Sequence, residues 1–156
     1  MNLAVLRKTR RKLEVGDIFV MQPPDGLFLY GRVVDTDANP CFVGGAVLIY
    51  IYRVRSTTKT PIPDLLREQL LLPPMMTNKR PWTMGYFEHL THRPMSATDR
   101  LPKHCFRDTI RGGYRDEKAN RFQHPVEPIG DFGLHSFRTI DDAISKALGI
   151  PLSPED

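Results

Sequence analysis

Cysteine is scarce in this 156-residue chain, which holds only Cys41 and Cys105. They stand far apart, without the CxxC spacing of local zinc and redox motifs, and their number fits a reducing compartment. Long hydrophobic runs are missing as well. No stretch of about 18 apolar residues could span a bilayer, and the apolar stretch Leu3–Leu6 is too short for a signal-peptide core. The expected location is therefore the cytoplasm, away from membranes. The chain also lacks a G-x-S-x-G elbow, a phosphate-cradling glycine loop and an H-E-x-x-H pair. With no local set of nucleophile, base and orienting group, the expectation is a protein that binds a partner, with no catalytic residue and no cofactor.

Charge of one sign is confined to one place. The net charge is +4, yet five of the 22 Lys and Arg residues, Arg7, Lys8, Arg10, Arg11 and Lys12, form a single run. Without it, 17 basic residues face 18 acidic ones. Residues 1–12 thus read as a basic arm, and residues 13–156 as one globular domain with a balanced surface. Such an arm can hold nucleic acid only weakly, through charge alone; a solvated or edge-protecting role is the alternative.

Proline, in contrast, is abundant: its 14 residues favour short strands and turns over long helices. Leu13–Gln22 and Leu27–Asp35 read as a hairpin through Pro23-Pro24-Asp25-Gly26, where Gly26 takes the positive φ of a tight turn. In the second strand both alternating sets are largely apolar, which implies burial on both faces or a bend at Gly31. The run AVLIYIYRV at 46–54 is an unbroken strand. A two-turn helix is expected near 63–71, between prolines, and a strand near 82–90. Residues 91–123 are polar, with a hairpin expected in RDTIRGGYRDE at the glycine pair. LHSFRTI at 134–140 reads as a strand entering a helix capped by Thr139, with an apolar stripe of Ile140, Ala143, Ile144, Ala147 and Leu148 and an end at Gly149.

Several residues invite chemistry. His89, His92 and His104 beside Cys105 suggest a metal, but in a regular strand His89 and His92 would not face a common point, so none is expected. Phe28, Tyr30 and Arg32, or Tyr50, Tyr52 and Arg53, interleave rings with cations as a base-stacking barrel would; core packing explains them more simply. Trp82 reads as a buried anchor or, if exposed, as a hot spot.

Taken together, Gly16-Asp17-Ile18-Phe19, Asp25-Gly26, Tyr30-Gly31-Arg32-Val33, and Pro73-Pro74 ahead of Trp82, Gly85 and Phe87 resemble the immunity protein 26 family of bacterial polymorphic toxin systems, over about residues 13–90. The resemblance implies a protein that binds a cognate toxin and protects the producing cell. It brings no catalytic residues, and Gly16, Asp17, Gly26, Gly31, Trp82 and Gly85 are matched as fold determinants. The expected fold is α+β, a strongly bent, barrel-like antiparallel sheet with two short helices packed on it. The expected toxin contacts are the loop acids Asp35 and Asp37 and the polar stretch with Tyr114, Asp116 and Glu117, suited to a basic toxin. A nucleic-acid-binding small barrel and a PemK-like endoribonuclease, whose early strands also begin near a Gly-Asp pair, are the rival readings.

Overall fold

A computed structural model describes residues 1–42 and 44–154. Its centre is a pair of long strands, β2 (Phe28–Ala38) and β3 (Ala46–Ser56), flanked by β1 (Asp17–Met21) and β4 (Met75–Thr77). A four-residue helix α1 (Arg80–Thr83) and β5 (Glu88–His92) follow. Four short strands come next: β6 (Cys105–Arg107), β7 (Tyr114–Arg115), β8 (Arg121–Phe122) and β9 (Ile129–Asp131). The chain closes with β10 (Leu134–His135) and α2 (Phe137–Leu148). Two sheets result, with strand orders β10-β4-β3-β2-β1-β5 and β8-β7-β6-β9. Pairing is antiparallel except for β10 with β4 and β6 with β9.

The α+β class and the number of short helices agree with the sequence reading, though only the C-terminal helix is where it was expected, and the barrel does not form. Among the described residues neither sheet closes on itself. The burial of both faces of β2 and β3 has another cause, since each face of the large sheet carries its own layer. Phe19, Met21, Leu29, Val33, Val47, Ile49 and Ile51 pack on one side with Leu3, Leu13, Trp82, Phe87, Ile140 and Ile144. Ile18, Tyr30, Val34, Leu48, Tyr50 and Tyr52 pack on the other with Leu65, Met76 and Phe106. The pleat sends alternate side chains to opposite faces, so two apolar sets in one strand mean two cores.

Gly31, beside a register shift of the β2–β3 ladder between Leu29 and Gly31, also makes room for a ring. It pairs with Phe19 across β1 and β2, and a Cβ there would lie 2.3 Å from the Phe19 ring. That ring stacks on Phe87 at 4.4 Å and meets the Trp82 edge at 5.1 Å, so it has little freedom to withdraw. Gly31→Ala is therefore expected to destabilise the protein by roughly 1–3 kcal/mol, the usual cost of overpacking; the shift in urea midpoint measures it.

The segment expected as a helix near 63–71 is irregular instead. β4 pairs with only Val47–Ile49 and leaves the rest of the β3 edge open. Leu71 N–H donates to Ile51 O at 2.9 Å, Arg53 N–H donates to Gln69 O at 2.8 Å, and Tyr52 bridges Leu70. Satisfying the backbone groups of a buried edge outweighs a short helix with proline at both ends. The expected strand at 82–90 is also shifted: Asn78 Oδ1 accepts from Arg80 N–H at 2.9 Å, Pro81 opens α1, and the strand starts only at Glu88. The strand expected at 134–140 is only Leu134–His135, and α2 begins earlier than expected, at Phe137. Its cap is Ser136, whose Oγ accepts from Thr139 N–H at 3.2 Å, and it ends at Gly149 with φ 69° as expected.

Candidate partner-binding surface

The polar stretch after Thr91 is built from hairpins. In the first, Asp108 N–H donates to Gly113 O at 3.0 Å and Gly112 N–H to Asp108 O at 2.8 Å, giving the expected turn at the glycine pair. The buried Asp108 carboxylate accepts from Arg115 Nε at 2.9 Å. Backbone donation from Arg111, with the Arg115 and Arg111 side chains, holds its pKa down at about 2 against the opposing pull of burial. In the second hairpin Asp116 Oδ1 accepts from Lys118 and Asn120 N–H, both at 2.9 Å.

This second turn lies against the end of β2 and the residue after it, so the structure joins the two acidic segments singled out in the sequence; Asp35 and Asp37, expected in a loop, belong to β2, which runs on to Ala38. Lys118 Nζ pairs with Asp35 Oδ2 at 2.9 Å and donates to Asp37 O at 2.6 Å. Asn39 N–H donates to Glu117 O at 2.7 Å. Asp37 is exposed and folds the loop after β2 by accepting from Gly45 N–H at 2.8 Å. Tyr114 sits apart from this junction, stacked on Phe122 at 6.3 Å with the Arg107 guanidinium over its ring.

Glu117, His104 and Tyr50 form a line of carboxylate, imidazole and hydroxyl. His104 Nδ1 is 3.2 Å from Glu117 Oε2, and its Nε2 is 2.5 Å from Tyr50 Oη. Burial raises the Glu117 pKa, but the His104 hydrogen bond and charge leave it lowered overall. The order imitates a catalytic relay, yet the hydroxyl at its end is fully buried and also accepts from Leu101 N–H at 2.9 Å. Burial pushes the Tyr50 phenol up to about 12, which keeps its proton in place. The relay is a lock between the two sheets that fixes the base of the acidic turn.

Beside the junction lie residues the sequence reading passed over. Phe42 is 46% exposed and holds φ at 61°, a left-handed conformation uncommon for an aromatic residue. The Arg111 and Arg115 guanidinium groups lie 4.6 and 4.9 Å from its ring centre. An apolar groove of about 410 Å³, walled by Pro40, Cys41, Ala46, Thr77 and the exposed Leu134, adjoins the same loop. A lone aromatic in a loop of Asp, Asn, Pro and Gly was the available signal.

The histidines correct a second expectation. A register shift between Ile18 and Phe19 places an extra residue, Leu90, in β5, so His89 and His92 both approach Asp17. His92 Nδ1 lies 2.9 Å from Asp17 Oδ1, and His89 Nδ1 lies 3.9 Å from Oδ2. Glu14, Asp17 and His92 bring ligand atoms within 4.8 Å of one another, as a metal site would. The buried Asp17 carboxylate, however, already accepts from Glu14 N–H at 2.9 Å and from His92, so its lone pairs serve to fasten β1 to β5.

Residues 14–116 match the family described as Immunity protein 26. The chain belongs to this family. The match runs past Thr91, where the sequence resemblance stopped, and takes in β6, β7 and the acidic turn up to Asp116. No curated protein and no solved structure matches the chain. In this immunity protein 26 member, the matched residues thus hold strands β1 to β5 of the large sheet and the first hairpin of the small one, while β10 lies beyond them. Among the described residues no helix is long and apolar enough to cross a membrane.

Proposed function

We propose that this protein is a stoichiometric inhibitor, which acts in the cytoplasm of the producing cell by covering a working surface of its cognate toxin. Membership of an immunity protein family carries the reading. The contact is assigned to the junction of the end of β2 and the loop after it with the 114–120 turn, where Asp35, Asp37, Asp116 and Glu117 adjoin exposed Phe42 and the groove beside Leu134. Acidic groups around an aromatic and aliphatic centre suit a partner with basic groups around an apolar one: the rings supply binding energy and the charges supply rate and selectivity. Tyr114, stacked on Phe122 apart from the junction, is left out of this contact. No bond-making step is assigned to the chain.

The test pairs the protein with the toxin-domain protein encoded beside it. Toxin activity is expected to be lost at about one copy of inhibitor per toxin domain. Phe42→Ala is expected to weaken binding by at least about tenfold through faster dissociation, as a hot-spot truncation does. Asp37→Lys is expected to slow association more at low than at high salt, with unchanged circular dichroism. Rescue by far less than one copy per toxin would sink the occlusion reading. Full affinity in both variants would move the contact elsewhere.

A further inference from the structure

The basic run at 7–12 is docked on the body. Leu3 and Leu13 are buried on either side of it. Leu6 N–H donates to Gly85 O at 2.8 Å and Thr9 N–H to Trp82 O at 3.1 Å. Gly85, at φ 87°, gives the room: a Cβ there would stand 3.0 Å from Lys8 Cγ and 3.1 Å from Val5 Cγ1. Its cations are therefore presented at fixed places.

Two cavities open along the docked segment. One, of about 290 Å³, is walled by Arg7, Lys8, Thr9, Arg11 and His89. The other, of about 350 Å³, shares Thr9 and Arg11 and adds Arg10, Leu13, Lys79, Trp82 and Thr83. None of Arg7, Lys8, Arg10, Arg11 and Lys12 forms an ion pair or donates a side-chain hydrogen bond among the described residues, and all five are exposed. Trp82 is 1% exposed, and its indole Nε1 has no hydrogen-bond partner; His89 Nδ1 is buried and also lacks a hydrogen bond, with the Asp17 carboxylate 3.9 Å away. Burial, then the charge of Arg11, lowers the His89 pKa, so the ring stands in a positive field that no nearby acid other than Asp17 offsets. Unpaired cations beside a buried ring nitrogen without a hydrogen bond, His89 in the first cavity and Trp82 in the second, are what bound anionic groups would complete.

We infer that this double cavity is a binding site for a phosphate-bearing small molecule, with Arg7, Lys8, Arg11 and His89 around the phosphate. Phosphate fits better than a carboxylate because four cationic or protonatable side chains wall one cavity, and only a group with up to two charges and three acceptor oxygens can engage them together. A free compound fits better than a nucleic-acid strand because the cations end with the arm. The rest of the chain carries 17 basic against 18 acidic residues, too balanced to track a phosphate backbone. The site is independent of the toxin contact and does not rest on it.

Inorganic pyrophosphate is the first probe, titrated calorimetrically into the full chain, with a 12-nucleotide single-stranded RNA in parallel. Pyrophosphate is expected to bind and to raise the melting temperature, and Arg7→Ala with Arg11→Ala is expected to weaken it at least tenfold. Both residues are exposed, so the fold is retained. The charge-matched control, Lys103→Ala with Arg121→Ala on the small sheet, is expected to change affinity by less than twofold. His89→Gln provides a second variant and is expected to weaken binding several-fold. Absence of pyrophosphate binding, an equal loss in the control pair, or RNA binding without pyrophosphate binding would each overturn the assignment, the last in favour of a strand-binding arm.

Discussion

Trp82→Ala is expected to lower stability by roughly 3–5 kcal/mol, the range for removing a large core aromatic. The ring is 1% exposed and meets Phe19 at 5.1 Å and Phe87 at 4.9 Å, both edge to face. Phe19 in turn fills the space over Gly31, so truncation opens a cavity in a cluster whose rings hold one another. Thr9 bonds to the Trp82 carbonyl, so the docked basic segment is expected to loosen as well. Denaturant unfolding followed by circular dichroism measures the loss. A melting temperature within a degree of the parent would show that the ring is not a core anchor.

On the opposite face Phe106→Ala is expected to cost a similar roughly 3–5 kcal/mol, with a different distribution. Phe106 is fully buried in β6 and is the small sheet's member of the second core, among Tyr30, Leu48, Tyr50 and Met76. A Cβ on Gly130 of β9 would come within 3.1 Å of its ring, so the small sheet is closed tightly around it. Without that ring the small sheet loses its apolar hold while Trp82 and the first core are untouched. Hydrogen exchange is expected to quicken through β6, β7 and the acidic turn before the large sheet opens. The single tryptophan gives the control, since its emission is expected to stay that of a buried indole while the variant remains folded. Uniform exchange across both sheets would show that they open as one unit.

These two positions also mark what was legible in the sequence. β2, β3 and α2 could be read because the information is local: β-branched and aromatic residues in an unbroken run, an apolar stripe at helical spacing, and Gly149 at the stop. Leu65, Leu66, Gln69 and Leu70 carry a helical spacing that misleads, because the open edge of β3 decides that segment from outside it. The small sheet is written in strands of two or three residues, too short for any periodicity, and β6 takes β9 as a parallel partner across more than twenty residues. For the surface, loop composition identified Asp35, Asp37, Asp116 and Glu117 one by one. Their meeting was not legible, since it depends on Lys118 reaching Asp37 across 81 positions. Phe42 was passed over because an exposed ring in a loop carries no pattern at all.

The buried carboxylate of Asp141 in α2 accepts from Asn2 N–H at 3.0 Å and from Leu3 N–H at 2.7 Å. This contact joins positions 139 and 138 residues apart in the sequence. Closing so long a loop costs entropy that the finished core must offset, so this contact is expected to form late, after the segment's nearer bonds to Gln22, Trp82 and Gly85. Arg7, Lys8, Arg10 and Arg11, which wall the two cavities, are therefore expected to be held less firmly in any folding intermediate that lacks α2. A chain that lacks α2 is expected to bind polyanions more readily than the folded protein, whose same charges are fixed against its body.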